Sequence, residues 1–241
     1  MRRRKLGWMC GITILALAGG LTALAAALKH EPNFYCQGQV PPSEARKELA
    51  YTFCRNFGQM LADRDAKKET WRCDTTEAQL NCFFDEIFVQ RGEAEELSKL
   101  GISSPSVTLE EDHIRLAFRY GSGWLSTVMS YDLRIWLVPK EANVIAVEIQ
   151  SARAGALPIS KQSILHELSE LARKQNFKVT LYRHEGNSVA LVDLQGDQQQ
   201  PKSILTTLKV STSKLTIRGK TLEYALPQLD LNKGAKNVPL P

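Results

Sequence analysis

Hydrophobic and polar residues follow three regimes along this chain. From Leu6 to Leu28 it reads LGWMCGITILALAGGLTALAAAL, twenty-three residues without a charge. Wound as a helix at ~1.5 Å per residue, that stretch reaches about 34 Å, enough for a hydrocarbon layer of about 30 Å. The pattern predicts a transmembrane anchor over 6–28. The leader 1–5 carries Arg2, Arg3, Arg4 and Lys5, so the positive-inside bias puts the N-terminus in the cytoplasm and everything after the anchor outside. A cleaved signal peptide is the rival reading, since Ala23-Leu24-Ala25 and Ala25-Ala26-Ala27 have the small-x-small form of a cleavage site. Length favours retention, because a signal's apolar region runs to about 7–15 residues. Cys10 stands near the start of the run, not after it, so it reads as a small apolar helix residue rather than a lipid attachment point.

The second regime has a period near 3.6. After a connector over 29–42, where Phe34 and Tyr35 suit an interface or packing on the domain, Ser43 can cap a helix. Leu49, Phe53, Phe57, Met60 and Leu61 then place an apolar face along 44–62. Residues 69–74 read as a short strand carrying Trp71. Thr76 with Gln79 forms a capping box before an aromatic stripe of Leu80, Phe83, Phe84, Ile87 and Phe88, and 93–100 reads as one more helical piece. These make a helical, cysteine-containing section over 43–104.

At Ser103-Ser104-Pro105 the period changes to two. Ile114, Leu116, Phe118 and Tyr120 alternate with His113, Arg115, Ala117 and Arg119, the pattern of a half-buried strand. Further strands are expected within 124–138 and around Ile145, Val147 and Ile149, giving an antiparallel meander wet on one side. Ser160 can cap an amphipathic helix over 160–174, with Ile164, Leu165, Leu168, Leu171 and Ala172 on one face, lying across the sheet. Strands resume over 177–184, 188–194, 204–211, 214–218 and 221–224. A flexible tail is expected over 227–241. Helices followed by strands predict an α+β fold: an anchor, a helical section, then a mostly antiparallel twisted sheet over 105–226 with one crossing helix.

Charge changes little. The formal net charge is +5, and four of it sit in the leader, leaving +1 for the rest, so nucleic-acid binding has no electrostatic footing. The membrane is the expected partner, through the anchor. Cysteine matters more. Cys36, Cys54, Cys73 and Cys82 all fall in the exported part, and an even number in an oxidising compartment reads as two disulfides. Cys73 precedes the second helix and Cys82 lies about two turns inside it, roughly 10 Å along the axis, beyond disulfide reach. Two connectivities remain, Cys36–Cys73 with Cys54–Cys82 or Cys36–Cys82 with Cys54–Cys73, and free thiols are the alternative, since some bacterial envelopes make few disulfides. A four-thiolate zinc site would bring its ligands in closely spaced pairs, whereas these spacings are 18, 19 and 9. No metal or cofactor is expected.

No catalytic motif emerges. His166-Glu167 opens like a zinc-protease helix, yet Glu170 stands where the second histidine belongs, and Gly121-Ser122-Gly123 lacks the frame of a nucleophile elbow. Glu110-Glu111-Asp112 reads as a solvated turn. Asp132 and Glu148 are expected to pair with Arg134 or Arg153 as surface ion pairs. Phe118, Trp124, Tyr131, Trp136 and Tyr182 are strand aromatics that fill a core or, if they line a groove between sheet and helix, bind an acyl chain.

The short basic anchor, Trp71 with the run Thr75-Thr76-Glu77-Ala78-Gln79-Leu80-Asn81, and Arg153-Ala154-Gly155-Ala156-Leu157-Pro158 before a helix together carry a resemblance. The chain resembles the uncharacterised YpmS-like bacterial single-pass membrane proteins. The resemblance covers most of the chain and implies location and an extracytoplasmic α+β domain, with no assigned activity to carry over. Four exported cysteines depart from that pattern. The function expected is that of a membrane-anchored, non-enzymatic scaffold or binding domain for an envelope protein, a lipid or another hydrophobic ligand. The alternative is an envelope hydrolase with dispersed catalytic residues.

Overall fold

A computed structural model describes residues 18–37, 41–88, 99, 101–139, 141–174, 177–184, 187–194 and 203–222. The leader, the first half of the apolar stretch and the 227–241 tail lie outside the described residues, as does the piece expected over 93–100 apart from position 99. The fold is α+β, with two antiparallel sheets and a few helices.

Helix α1 covers 18–29 and α2 covers Asn33–Gln37. Ser43 caps α3 (Glu44–Asp65) by accepting from the Arg46 amide, and β1 (Thr70–Thr76) follows. The expected capping box is formed: the Thr76 hydroxyl takes the Gln79 amide while the Gln79 side chain takes the Thr76 amide, opening α4 (Glu77–Phe83). A π-helical turn, Phe84–Phe88, continues it. Then β2 (Ile102–Glu110), β3 (His113–Tyr120), β4 (Thr127–Leu137) and β5 (Val144–Ala154) run as a meander, with β6 (Leu157–Pro158) folded back on β5. Helix α5 (Lys161–Lys174) leads to β7 (Lys178–His184) and β8 (Asn187–Asp193), and the sheet order is β2-β3-β4-β5-β8-β7. Two strands end the described chain, β9 (Ser203–Ser211) and β10 (Lys214–Thr221). They form the small sheet β1-β10-β9, so a strand from the helical section is paired into the sheet section.

The core lies between the large sheet and a second layer made of α5, α4 and the small sheet. Leu109, Ile114, Leu133, Ile149, Val179 and Ala190 of the large sheet pack with Leu165 of α5 and Val210 of β9, and Leu80, Phe84 and Leu215 close the edges. A register shift between Asp132 and Leu133, where β5 carries the extra Gln150, keeps both Ile149 and Ala152 on this face. The apolar face expected to be open or filled is filled.

Strand β2 has no period-two signature before Ser106, and it is a strand nonetheless. Ser104 takes a positive φ of 48° and the pairing with β3 jumps from Ser103 to Ser106, so Pro105 sits in an irregularity where no ladder donor is required. Residues 214–221 form one strand where two were expected; the interruption at Gly219 is a bulge, with the Trp71 ring resting on it.

Candidate functional site

Helix α1 ends against the large sheet. The Ala156 amide donates to the Ala27 carbonyl at 2.8 Å, the Thr127 hydroxyl to the Leu28 carbonyl at 2.5 Å, and the Lys29 ammonium to the Ser126 carbonyl at 2.9 Å. The last carbonyls of a helix have no partner within it, and here the domain supplies donors for two of them. Gly155 makes the approach possible. Its φ is +59°, and a Cβ there would stand 2.3 Å from the Ala27 oxygen and 2.6 Å from that of Leu28. Past the helix, Arg119 binds Glu31 at 2.5 Å, and Tyr35 of α2 is fully buried against Ala117 and Val128. The connector expected over 29–42 is therefore folded onto the sheet through residue 35.

Residues 18–26 are different: every one is exposed, Leu21 by 67% and Leu24 by 47%. The domain clasps the end of the helix and leaves its apolar flanks bare. Among the described residues no helix is long and apolar enough to cross a membrane; α1 is the described end of the apolar stretch, and 6–17 lie outside.

A cleft of about 360 Å³ opens beside this junction, lined by His30, Pro32 and Phe34 on one side and Arg115, Ser130, Tyr131, Asp132, Ser151, Arg153 and Gly155 on the other. Most of it is two rungs of the polar sheet face: Arg115, Asp132 and Ser151 are successive partners across β3, β4 and β5, and Ser130 faces Arg153 on the next rung. Arg115 binds Glu110 at 2.9 Å, lies 3.8 Å from Asp132, and stacks 5.7 Å above the Phe34 ring. Asp132 also meets His113 Nδ1 at 2.9 Å. Its partners are thus His113 and Arg115, not the Arg134 or Arg153 expected; Arg134 lies over the Trp136 ring instead. Arg153 is exposed and makes no ion pair among the described residues. Burial pushes the Tyr131 phenol up, so it stays protonated. The cleft is lined mostly by polar and charged side chains. Its residues were invisible one by one, because an alternating polar face looks the same whether it meets water or a ligand.

The five strand aromatics do not share a groove. Phe118 packs on Tyr131 with ring centres 5.7 Å apart, Trp136 and Tyr182 flank His184, and Trp124 is 79% exposed in a turn. Of the cysteines, Cys54, Cys73 and Cys82 carry free thiols, and the Cys36 side chain lies outside the described residues. Cys54 and Cys82 pack in one cluster with Ala50 and Ile87, whereas Cys73 packs with Met60 and Trp71. Burial pushes the Cys73 and Cys82 thiols up, so both are protonated at neutral pH. No cluster of His, Cys, Asp or Glu that could hold a metal occurs among the described residues. No family model, curated protein or solved structure matches the chain.

Proposed function

We propose that this is a single-pass membrane protein whose extracytoplasmic α+β domain is a non-enzymatic scaffold or partner-binding module, held at the bilayer surface by a rigid junction. The observation that carries the reading is the junction itself: bare apolar flanks over 18–26, then a last turn locked to Ser126, Thr127 and the Gly155–Ala156 turn. Exposed leucines are stable in lipid and unfavourable in water. Cleavage after Ala25 or Ala27 would remove the helix, and cleavage after Ala27 the carbonyl that Ala156 binds, so the junction argues for a retained anchor. The likeness to YpmS-like proteins belongs to the same proposal.

The test is topological. A tag after Pro241 is expected to be digested by protease added to intact spheroplasts, and a tag before Met1 to be protected; the reverse pattern sinks the reading. The junction makes a separate prediction. Gly155→Val is expected to stay with the membrane fraction but to be cut within 29–43 at least tenfold faster by limited proteolysis, because a Cβ at that φ collides with two backbone carbonyls. Unchanged cleavage would show that the junction is not held by Gly155. Cys54 and Cys82 belong to one side-chain cluster, so in an oxidising compartment a Cys54–Cys82 disulfide is the bridge this reading expects, and non-reducing peptide mapping checks it.

The hydrolase alternative would draw on His113 and Asp132. An imidazole oriented by a carboxylate is half of a nucleophile-activating array, yet no serine hydroxyl bonds to His113 among the described residues. Ester, glycoside or phosphate turnover that His113→Asn abolishes would overturn the non-enzymatic reading.

A further inference from the structure

We propose that the turn between β3 and β4 is a second membrane contact, with the Trp124 indole lodged among lipid headgroups beside the anchor. The inference rests on the anchored reading above and adds to it how the domain stands on the bilayer. The sheet end that receives α1 also carries this turn: Lys29, the first charge after the apolar stretch, holds the Ser126 carbonyl, and Leu28 is held by Thr127. Headgroup layers add about 5–7 Å on each side of the hydrocarbon core. Ser126 therefore lies at headgroup depth, and Trp124, two residues away, lies within about 7 Å of it.

The turn is built to present that ring. Gly121 and Gly123 take positive φ values of 89° and 56°, and Ser126 closes the turn on the Gly123 carbonyl through both its amide and its hydroxyl. Trp124 is then 79% exposed and neighbouring Tyr120 50% exposed, two large aromatics left largely uncovered among the described residues. Tryptophan and tyrosine favour the membrane interface, where an apolar ring and a polar N–H or O–H are both satisfied. Lys29 adds positive charge suited to lipid phosphates, while the nearby Arg119 is paired with Glu31.

The experiment uses the full chain carrying Trp8→Phe, so that the tryptophan of the apolar stretch is silent, reconstituted in phosphatidylcholine vesicles with or without dibrominated acyl chains. Vesicle flotation reports anchoring, and tryptophan emission reports the turn. The expected result is co-flotation together with a blue-shifted component that brominated chains quench and aqueous acrylamide does not. Trp124→Ser should abolish that component without changing flotation or circular dichroism. Co-flotation with Trp124 emission open to acrylamide and indifferent to bromine overturns this inference and leaves the anchor standing. Failure to float overturns both.

Discussion

Gly219→Ala is expected to destabilise the domain by about 3 kcal/mol, lowering its Tm by about 6–12 °C. Strand propensity alone argues the other way, since alanine gains roughly 0.5–1 kcal/mol over glycine by losing less entropy on folding. Packing decides the sign. Gly219 is the cross-strand partner of Trp71, and an added Cβ would lie 1.9 Å from one ring carbon and 2.3 Å from another. The ring has no easy retreat, because Trp71 is buried with Met60 and Cys73, and Leu61, Leu205 and Ile217 pack around them. Trp71→Leu is costly in itself but removes the collision. In that background Gly219→Ala should cost almost nothing, and thermal unfolding of the four proteins measures the coupling. Additive losses would mean that the ring does not rest on Gly219.

Asn81→Ala is expected to cost about 2–5 kcal/mol, the sum of two buried backbone groups left without partners. Asn81 is only 3% exposed, and its amide spans an edge of the large sheet: the side-chain N–H₂ donates to the Val107 carbonyl at 2.8 Å, and the side-chain oxygen accepts the Val107 amide at 2.7 Å. Glu77 takes the next free amide of that strand, Leu109, at 2.8 Å. Together they cover the β2 edge, where unpaired groups would otherwise invite another chain. Native-state hydrogen exchange checks the claim at one position. The Val107 amide should be protected in the parent and exchange at least tenfold faster in the variant, and a loss below about 1 kcal/mol with protection intact would contradict it. Asn143 repeats the device on β9, donating to the Ser203 carbonyl at 2.7 Å and accepting the Leu205 amide at 2.6 Å.

Trp71, the run Thr75–Asn81 and the run Arg153–Pro158 turn out to be joints of the fold. Trp71 covers Gly219, Thr76 and Gln79 close the cap of α4, Asn81 seals β2, and Gly155 with Ala156 receives the end of α1. Apart from the local Thr76–Gln79 cap, none of those partners is near in sequence. Strand β2 has no strand signature in sequence because its first half is Ser-Ser-Pro, and its pairing comes from β3 and Asn81 rather than from its own alternation. The bulge opposite Asp132 was equally hidden, since an odd spacing between Ile149 and Ala152 reads as the end of a strand until β4 is laid beside it.

By itself the sequence determined what depends on neighbours a few residues apart: the uncharged run, the capping box, the amphipathic 160–174 helix, the period-two strands and hence the α+β class. Those features are set by backbone geometry and local solvation. Tertiary structure alone decided which helical-section strand joins the small sheet, that the apolar face is filled, that Arg115, Asp132 and Ser151 align in one rung, and that the end of α1 is clasped. These are contacts between segments up to 153 residues apart, as between Lys68 and Thr221, and only the packed chain brings such partners within reach of each other.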